Sequence, residues 1–233
     1  MEDTRTQLLA AVRDYKMPSA AATLLNQNPP LIISAVTASG KNTVANQILN
    51  NQSSYRETVS HTTRPPRSDE SDGVHYWFVN AAKMLELVRA EAFVEVKTIH
   101  GDTVYGTSLQ AYKTVLESGH TPLLVIDVQG VEELQRGLAQ IRPFFILPPS
   151  YEEWMNRLHS RGVITDDDKV MRMASAKREL QTVLANPAYI LVVNEEVEKT
   201  AQIILAAKVD SEIQDEYRQL AKKILEKLNS WHS

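Results

Sequence analysis

The chain has 233 residues, 43% of them hydrophobic, and sets 25 Lys plus Arg against 29 Asp plus Glu for a formal charge of −4. That composition supplies one sizeable core and speaks against a general nucleic-acid binder, which would carry a basic face. There is no cysteine, so disulfides, thiolate metal sites and cysteine nucleophiles are excluded and a reducing interior suits the chain. No apolar run approaches the roughly 20 residues that span a bilayer. The opening MEDTRTQLLAAVRDYK lacks the apolar stretch of a secretion signal. The expectation is a soluble, cytoplasmic protein with neither a membrane nor a nucleic-acid partner.

In chain order, Leu8, Leu9, Val12 and Tyr15 fall at helical spacing and predict a helical extension over residues 1–30, stopped by Pro29-Pro30. LIISAV (31–36) reads as a buried strand, and Lys41 to Asn50 as the helix after it. From about 55 to 108 the pattern changes to Thr, Tyr and turn residues with short alternating pieces such as HYWFV and FVEV, which predicts a small inserted strand-rich lobe. LLVIDV (123–128), FFIL (144–147) and YILVV (189–193) are continuous apolar runs separated by helical patterns. Such runs predict an α/β fold with a parallel sheet buried on both faces. Helices are expected over 151–161, 170–185 and 195–208, with the polar stretch GVITDDDK between the first two forming a lid at about 161–170. The main domain therefore runs over 31–208. A C-terminal helical extension over 209–233 carries the stripe Ile213, Tyr217, Leu220, Ile224 and Leu228, expected to pack on the core or on the N-terminal extension.

Two segments carry chemistry. SHTTRPPRSDESDGVHYWF (60–78) sets Arg64 and Arg67 three apart, follows with Glu70, turns at Gly73 and reaches Tyr76. Two guanidinium forks and a phenol, pinned by prolines and a glycine, suit a phosphate monoester, because arginine meets phosphate with paired hydrogen bonds and keeps its charge. Upstream lies a degraded phosphate loop. Against G-x-x-x-x-G-K-[ST], the chain reads Ala35, Val36-Thr37-Ala38-Ser39, then Gly40-Lys41-Asn42, with Thr43 one residue out of register. Backbone N–H groups do the cradling at such a helix start, so alanine for glycine is tolerated where φ stays negative. The plain alternative is an ordinary strand–turn–helix with a solvated lysine. Two phosphate sites on one small chain suggest phosphoryl transfer between them.

Between Leu31 and Lys208 the chain resembles the guanylate kinase family. SHTTRPPRSDESDGVHYWF is similar to that family's S-x-T-T-R-x-x-R-x-x-E-x-x-G-x-x-Y-x-F signature. FVEV followed by YGTS resembles its base-reading strand and turn, and VIDVQGV its I-L-D-I-D-V-Q-G-V strand. ILPPSYEEWMNRLHSRG, MRMASAKREL and VVNEEVEKT resemble its proline turn and helix, the R-L-x-x-A-x-x-E-L helix and the V-x-N segment, all in order.

The resemblance implies a P-loop nucleoside monophosphate kinase fold, with a central parallel sheet flanked by helices on both faces, a small strand-rich acceptor lobe and a lid. It implies transfer from ATP to GMP or dGMP with Mg²⁺. Carried over by position, Thr37, Ala38, Ser39, Gly40, Lys41, Asn42 and Thr43 would hold ATP. Arg64, Arg67, Tyr76 and Tyr105 would hold the acceptor phosphate, with Glu70 and Asp127 in the same site. Ser60, Glu95 and Thr107 would read guanine, whose N1–H and exocyclic amine match a carboxylate. Lys41, Arg64, Arg157, Arg161 and Arg172 would carry the catalytic charge. No residue is assigned as a direct metal ligand; Asn42, Thr43 or Asp127 would reach the metal through water.

The chain departs from the family pattern at Ala38, where a glycine is usual, at Asn42, where a small or hydroxyl residue is usual, and at Val125, which replaces an acid. Glu95 to Tyr105 is also one residue longer, so the TIHGDTV loop is expected to shift Tyr105. The altered donor loop points to one other reading, a non-catalytic binding domain of the same fold; a kinase of another phosphorylated acceptor such as a ribose bisphosphate is a further alternative.

Overall fold

A computed structural model describes residues 3–99, 101–138, 140–160, 166–207 and 209–230, with the backbone alone for 166–168. The N-terminal extension is two helices, α1 (Thr4–Arg13) and α2 (Ser19–Gln27). Pro18, at φ −61 and ψ 144, divides them, because its ring and missing N–H cannot continue a helix. Then come β1 (Leu31–Ala35), α3 (Lys41–Asn51), β2 (Tyr55–Glu57), β3 (His61–Thr62) and β4 (Trp77–Phe78). They are followed by α4 (Ala81–Arg89), β5 (Phe93–Ile99), β6 (Thr103–Ser108), α5 (Leu109–Glu117), β7 (Thr121–Val125) and α6 (Val128–Gly137). The last elements are β8 (Phe144–Leu147), α7 (Tyr151–His159), α8 (Asp166–Ala185), β9 (Ile190–Val193), α9 (Val197–Ala206) and α10 (Ser211–Asn229).

The strands form a five-stranded sheet in the order β2-β7-β1-β8-β9 and a four-stranded sheet in the order β4-β3-β6-β5. In the larger sheet β2–β7, β1–β8 and β8–β9 are parallel, and helices alternate with its strands, so the fold is α/β with a central parallel sheet. The chain divides into two compact units, one made of Met1–Leu31, Ser54–Leu124 and Gln129–Ile141, the other of Ile32–Ser53, Val125–Val128 and Arg142–Ser233.

In the first unit, β6 pairs antiparallel with both β3 and β5. A core of Leu8, Val12, Met84, Leu85, Val88, Phe93, Val96 and Val104 joins α1 to α4 and β5. Sequence periodicity did not announce α4 or α5, although Asn80 and Ser108 are ordinary N-caps, accepting from Lys83 N at 2.8 Å and Ala111 N at 3.2 Å. β2 lies in the parallel sheet and not in the strand-rich lobe.

In the second unit, β1 and β8 are buried almost throughout, as their continuous apolar runs require. β7 and α6 lie mostly in the first unit; β7 ends at Val125 and α6 begins at Val128, so the expected strand over 123–128 breaks and Asp127 stands in the link between them. α8 starts at Asp166, earlier than the expected 170; residues 161–165 of the lid lie outside the described residues. α10 packs on α8, β9 and α7, burying Ala221, Ile224 and Leu228.

Candidate active site

The second unit builds the phosphate loop. The buried strand β1 delivers the chain into 36–40, and Gly40 caps α3 in the left-handed region at φ 89. That glycine is obligatory twice over, since a Cβ there would lie 2.4 Å from Asn194 Nδ2. Ala38 has φ 64, so the condition under which alanine replaces glycine without strain, a negative φ, is not met at this residue. An L-residue there brings its Cβ against the carbonyl and is strained.

The loop is held from outside. Trp154 Nε1 donates to Thr37 O at 2.7 Å, and Asn194 Nδ2 donates to Ser39 O at 2.8 Å. Lys41 Nζ donates to Ile126 O at 3.2 Å, next to Asp127. Asn42 and Thr43 are exposed on the first turn of α3. Arg157 donates to Glu153 Oε1 at 2.8 Å and to Asn194 O at 3.2 Å, and Arg172 is half-buried on α8. Arg161 lies outside the described residues.

Sequence reasoning gave Glu179 no role. Its Oε2 is buried and meets no hydrogen-bond donor among the described residues. Its carboxyl is pushed up to about 8, first by burial and then by the charge of Asp127, while Lys41 and the Thr37 backbone pull the other way. It therefore belongs electrostatically with Lys41 and Asp127. The E of the MRMASAKREL match was the available signal, but the pattern says nothing of depth.

The first unit builds two adjoining clusters. In one, Arg64 donates through NH2 to Glu70 Oε1 at 2.8 Å, through Nε to Tyr105 Oη at 3.1 Å and through NH1 to Pro65 O at 2.7 Å. Its guanidinium stands 5.6 Å from the Tyr76 ring centroid and 5.7 Å from that of Phe78. Glu70 Oε2 accepts from Arg67 N at 2.8 Å, so this carboxylate aims one arginine and anchors the loop carrying the other. Arg67 keeps its side chain 68% exposed. The hydrogen bond from Arg64 holds the Glu70 carboxyl below its ordinary range; burial raises the Tyr76 hydroxyl. Tyr105 thus remains within reach of Arg64 despite the longer hairpin.

In the second cluster, Glu95 faces Thr107 across β5 and β6. Its Oε1 accepts from Thr107 N at 2.9 Å and Thr107 Oγ1 at 2.7 Å. Ser60 Oγ is 3.1 Å from Thr107 Oγ1. Lys97, another residue without a role in the sequence reading, donates from Nζ to Glu95 Oε2 at 3.0 Å. Tyr105 and Thr107 are two apart on β6 and share a face. The two clusters are therefore neighbours on one sheet surface: a cationic, phenolic one beside a buried carboxylate.

A family model for guanylate kinase matches residues 27–226. The chain belongs to the guanylate kinase family. It is 40% identical over 171 residues to a guanylate kinase of Neisseria gonorrhoeae, covering 72% of this chain and 80% of that one. It is 32% identical over 203 residues to a guanylate kinase of Haemophilus influenzae, covering 86% and 97%. Among solved structures, a guanylate kinase from Anaplasma phagocytophilum superposes with a TM-score of 0.57 at 26% identity, over 85% of this chain and 92% of that one.

Within this guanylate kinase family member, no three His, Cys, Asp or Glu side chains group as a metal cage among the described residues. Mg²⁺ commonly keeps its waters and is held by one or two carboxylates plus substrate phosphates. Asp127 and Glu179 beside Lys41, with the orphaned Glu179 Oε2, fit a cation of that kind. No helix among the described residues is long and apolar enough to cross a membrane.

Proposed function

We propose that this chain transfers the γ-phosphoryl group of ATP to the phosphate of GMP or dGMP, giving ADP and the nucleoside diphosphate. The observation that carries the reading is the pairing on one sheet face of the Arg64–Glu70–Tyr105 clamp with buried Glu95, held by Thr107. A phosphate monoester and a guanine edge are what those two clusters match.

In this reading Arg64, Arg67, Tyr76 and Tyr105 grip the acceptor phosphate, and Glu70 keeps Arg64 turned toward it. Ser60, Glu95 and Thr107 receive the base. Backbone N–H groups of 37–43 and the Lys41 ammonium receive the donor phosphates. Arg157, Arg161 and Arg172 add positive charge from the lid side, and closure of the lid keeps water from competing as acceptor. Phosphoryl transfer asks chiefly for alignment and charge stabilisation, and these are what arginines, a lysine and tyrosines provide. Mg²⁺ bound with ATP would neutralise charge on the donor phosphates; Asn42, Thr43 or Asp127 would hold it through water. A cytoplasmic site of action, suited to a cysteine-free chain, is part of the same proposal.

The named relatives are kinases, which favours neither the binding-domain nor the ribose-bisphosphate reading. An acceptor panel of GMP, dGMP, AMP, UMP and CMP, read by coupled ADP release, tests the proposal. Turnover with GMP well above the no-acceptor rate is expected; no acceptor-dependent turnover would overturn it.

A further inference from the structure

The acceptor face holds a cation that none of the roles above uses. Lys97 is 6% exposed and Glu95 2%, and the 3.0 Å bond from Lys97 Nζ to Glu95 Oε2 joins them as a buried ion pair. The two stand at i and i+2 on β5, so both side chains leave the same face of the strand. Lys97 pairs directly across from Tyr105, as Glu95 does from Thr107. The ammonium therefore belongs to the row between the base-reading residues and the phosphate clamp.

The bonds on Glu95 show what this does. An ionised carboxylate offers about two lone-pair sites on each oxygen. Both sites on Oε1 are taken by Thr107, one by its N–H and one by its hydroxyl. Among the described residues Oε2 accepts from Lys97 alone and keeps one site. Three donors thus fix the rotation of the carboxylate and leave one oxygen to meet a ligand. Solvent cannot supply the missing compensation at this depth, and a buried carboxylate without a cation is strongly disfavoured.

We propose that Lys97 is a positioning residue that sets acceptor specificity: it holds the Glu95 carboxylate turned so that Oε2 accepts from the ring N–H of a 6-oxopurine nucleotide. The inference rests on the reading of the chain as a GMP kinase. Adenine has no ring N–H at the corresponding position, so the benefit of a fixed Oε2 acceptor falls on guanine alone. A lysine whose role was only to fill space beside β5 would not distinguish the two bases.

The test is equilibrium binding of GMP and AMP, by calorimetry, to the wild type, Lys97→Met, Lys97→Gln, Lys97→Arg, Glu95→Gln and the Glu95→Gln/Lys97→Met double variant. Binding needs no turnover, so it separates this inference from the proposed activity. Lys97→Met is expected to weaken GMP binding about tenfold or more while leaving AMP binding within about threefold. Lys97→Arg, which keeps the charge, should stay close to the wild type; Lys97→Gln, which keeps a donor without the charge, should resemble Lys97→Met. In the Glu95→Gln background Lys97→Met should add nothing. Equal loss for GMP and AMP, no loss in Lys97→Met, or the same loss with and without Glu95 would overturn the inference. If Lys97→Met does not fold, the Lys97→Gln and Lys97→Arg pair decides alone. A wild type that binds no GMP would overturn both this inference and the proposed activity.

Discussion

At the scale of single residues, Ala38 marks the sharpest departure from the loop pattern. Its φ of 64 strains an L-residue by about 1–2 kcal/mol, partly offset by the extra freedom a glycine brings to the unfolded chain. Ala38→Gly should therefore stabilise the protein by about 1 kcal/mol, read by urea unfolding. Arg64 makes its bonds as a planar fork, which lysine cannot copy. Arg64→Lys is expected to raise the KM for GMP about tenfold or more, with the KM for ATP little changed, in steady-state kinetics. Glu70 carries a pH signature. Its carboxyl titrates below the ordinary 4.5 because Arg64 bonds the charged form, so the folded state binds fewer protons than the unfolded one. The stabilisation is full above 4.5 and is lost as pH falls through the lower folded value. Thermal unfolding followed down through the carboxylate range should show a shallower acid loss in Glu70→Gln than in the wild type. Arg64, Glu70 and Tyr76 were legible because they are crowded into one rigid stretch of chain. Lys97 and Glu179 were not, because a charged residue in a strand or helix reads as solvated until its burial is known.

At the scale of elements, the N-terminal helices bear on the acceptor lobe. The β5–β6 register shifts between Phe93 and Glu95, a bulge that re-aims the residue after it. Tyr15, just after α1, spans this point: its hydroxyl donates to Phe93 O at 2.7 Å and accepts from Phe93 N at 3.0 Å. Burial pushes that hydroxyl up to about 12, so it remains a donor throughout the physiological range. Tyr15→Phe strips both partners from a half-buried backbone and should destabilise the protein by about 1–3 kcal/mol. Hydrogen exchange at the β5 amides should speed up, with the largest change at Phe93; unchanged exchange there would refute the role. Tyr15 was visible in the sequence only as one member of an apolar stripe, since a hydroxyl aimed at a distant strand leaves no local period. The continuous strands were legible because apolar runs on a sheet covered on both faces need no alternation. The end of β7 was less so: Ile126 and Val128 prolong the apolar run past the strand, and Ile126 N donates to Ile33 O at 3.1 Å outside it.

At the scale of the whole molecule, the α/β class and the guanylate kinase family were recoverable from six ordered motifs, because that much spacing constrains a fold more than any one loop does. The altered phosphate loop keeps its outer supports from Trp154 and Asn194, which is why a non-consensus sequence still presents Gly40 and Lys41 at the start of α3. On the proposed function this loop delivers a phosphoryl group and does not merely share a chain with an acceptor site. The most direct measurement is the fate of γ-labelled ATP incubated with the protein, Mg²⁺ and GMP, with products separated by chromatography. Label is expected in GDP, dependent on GMP and abolished by Lys41→Ala. Label in inorganic phosphate alone, or GMP bound with ATP left intact, would contradict the proposed function.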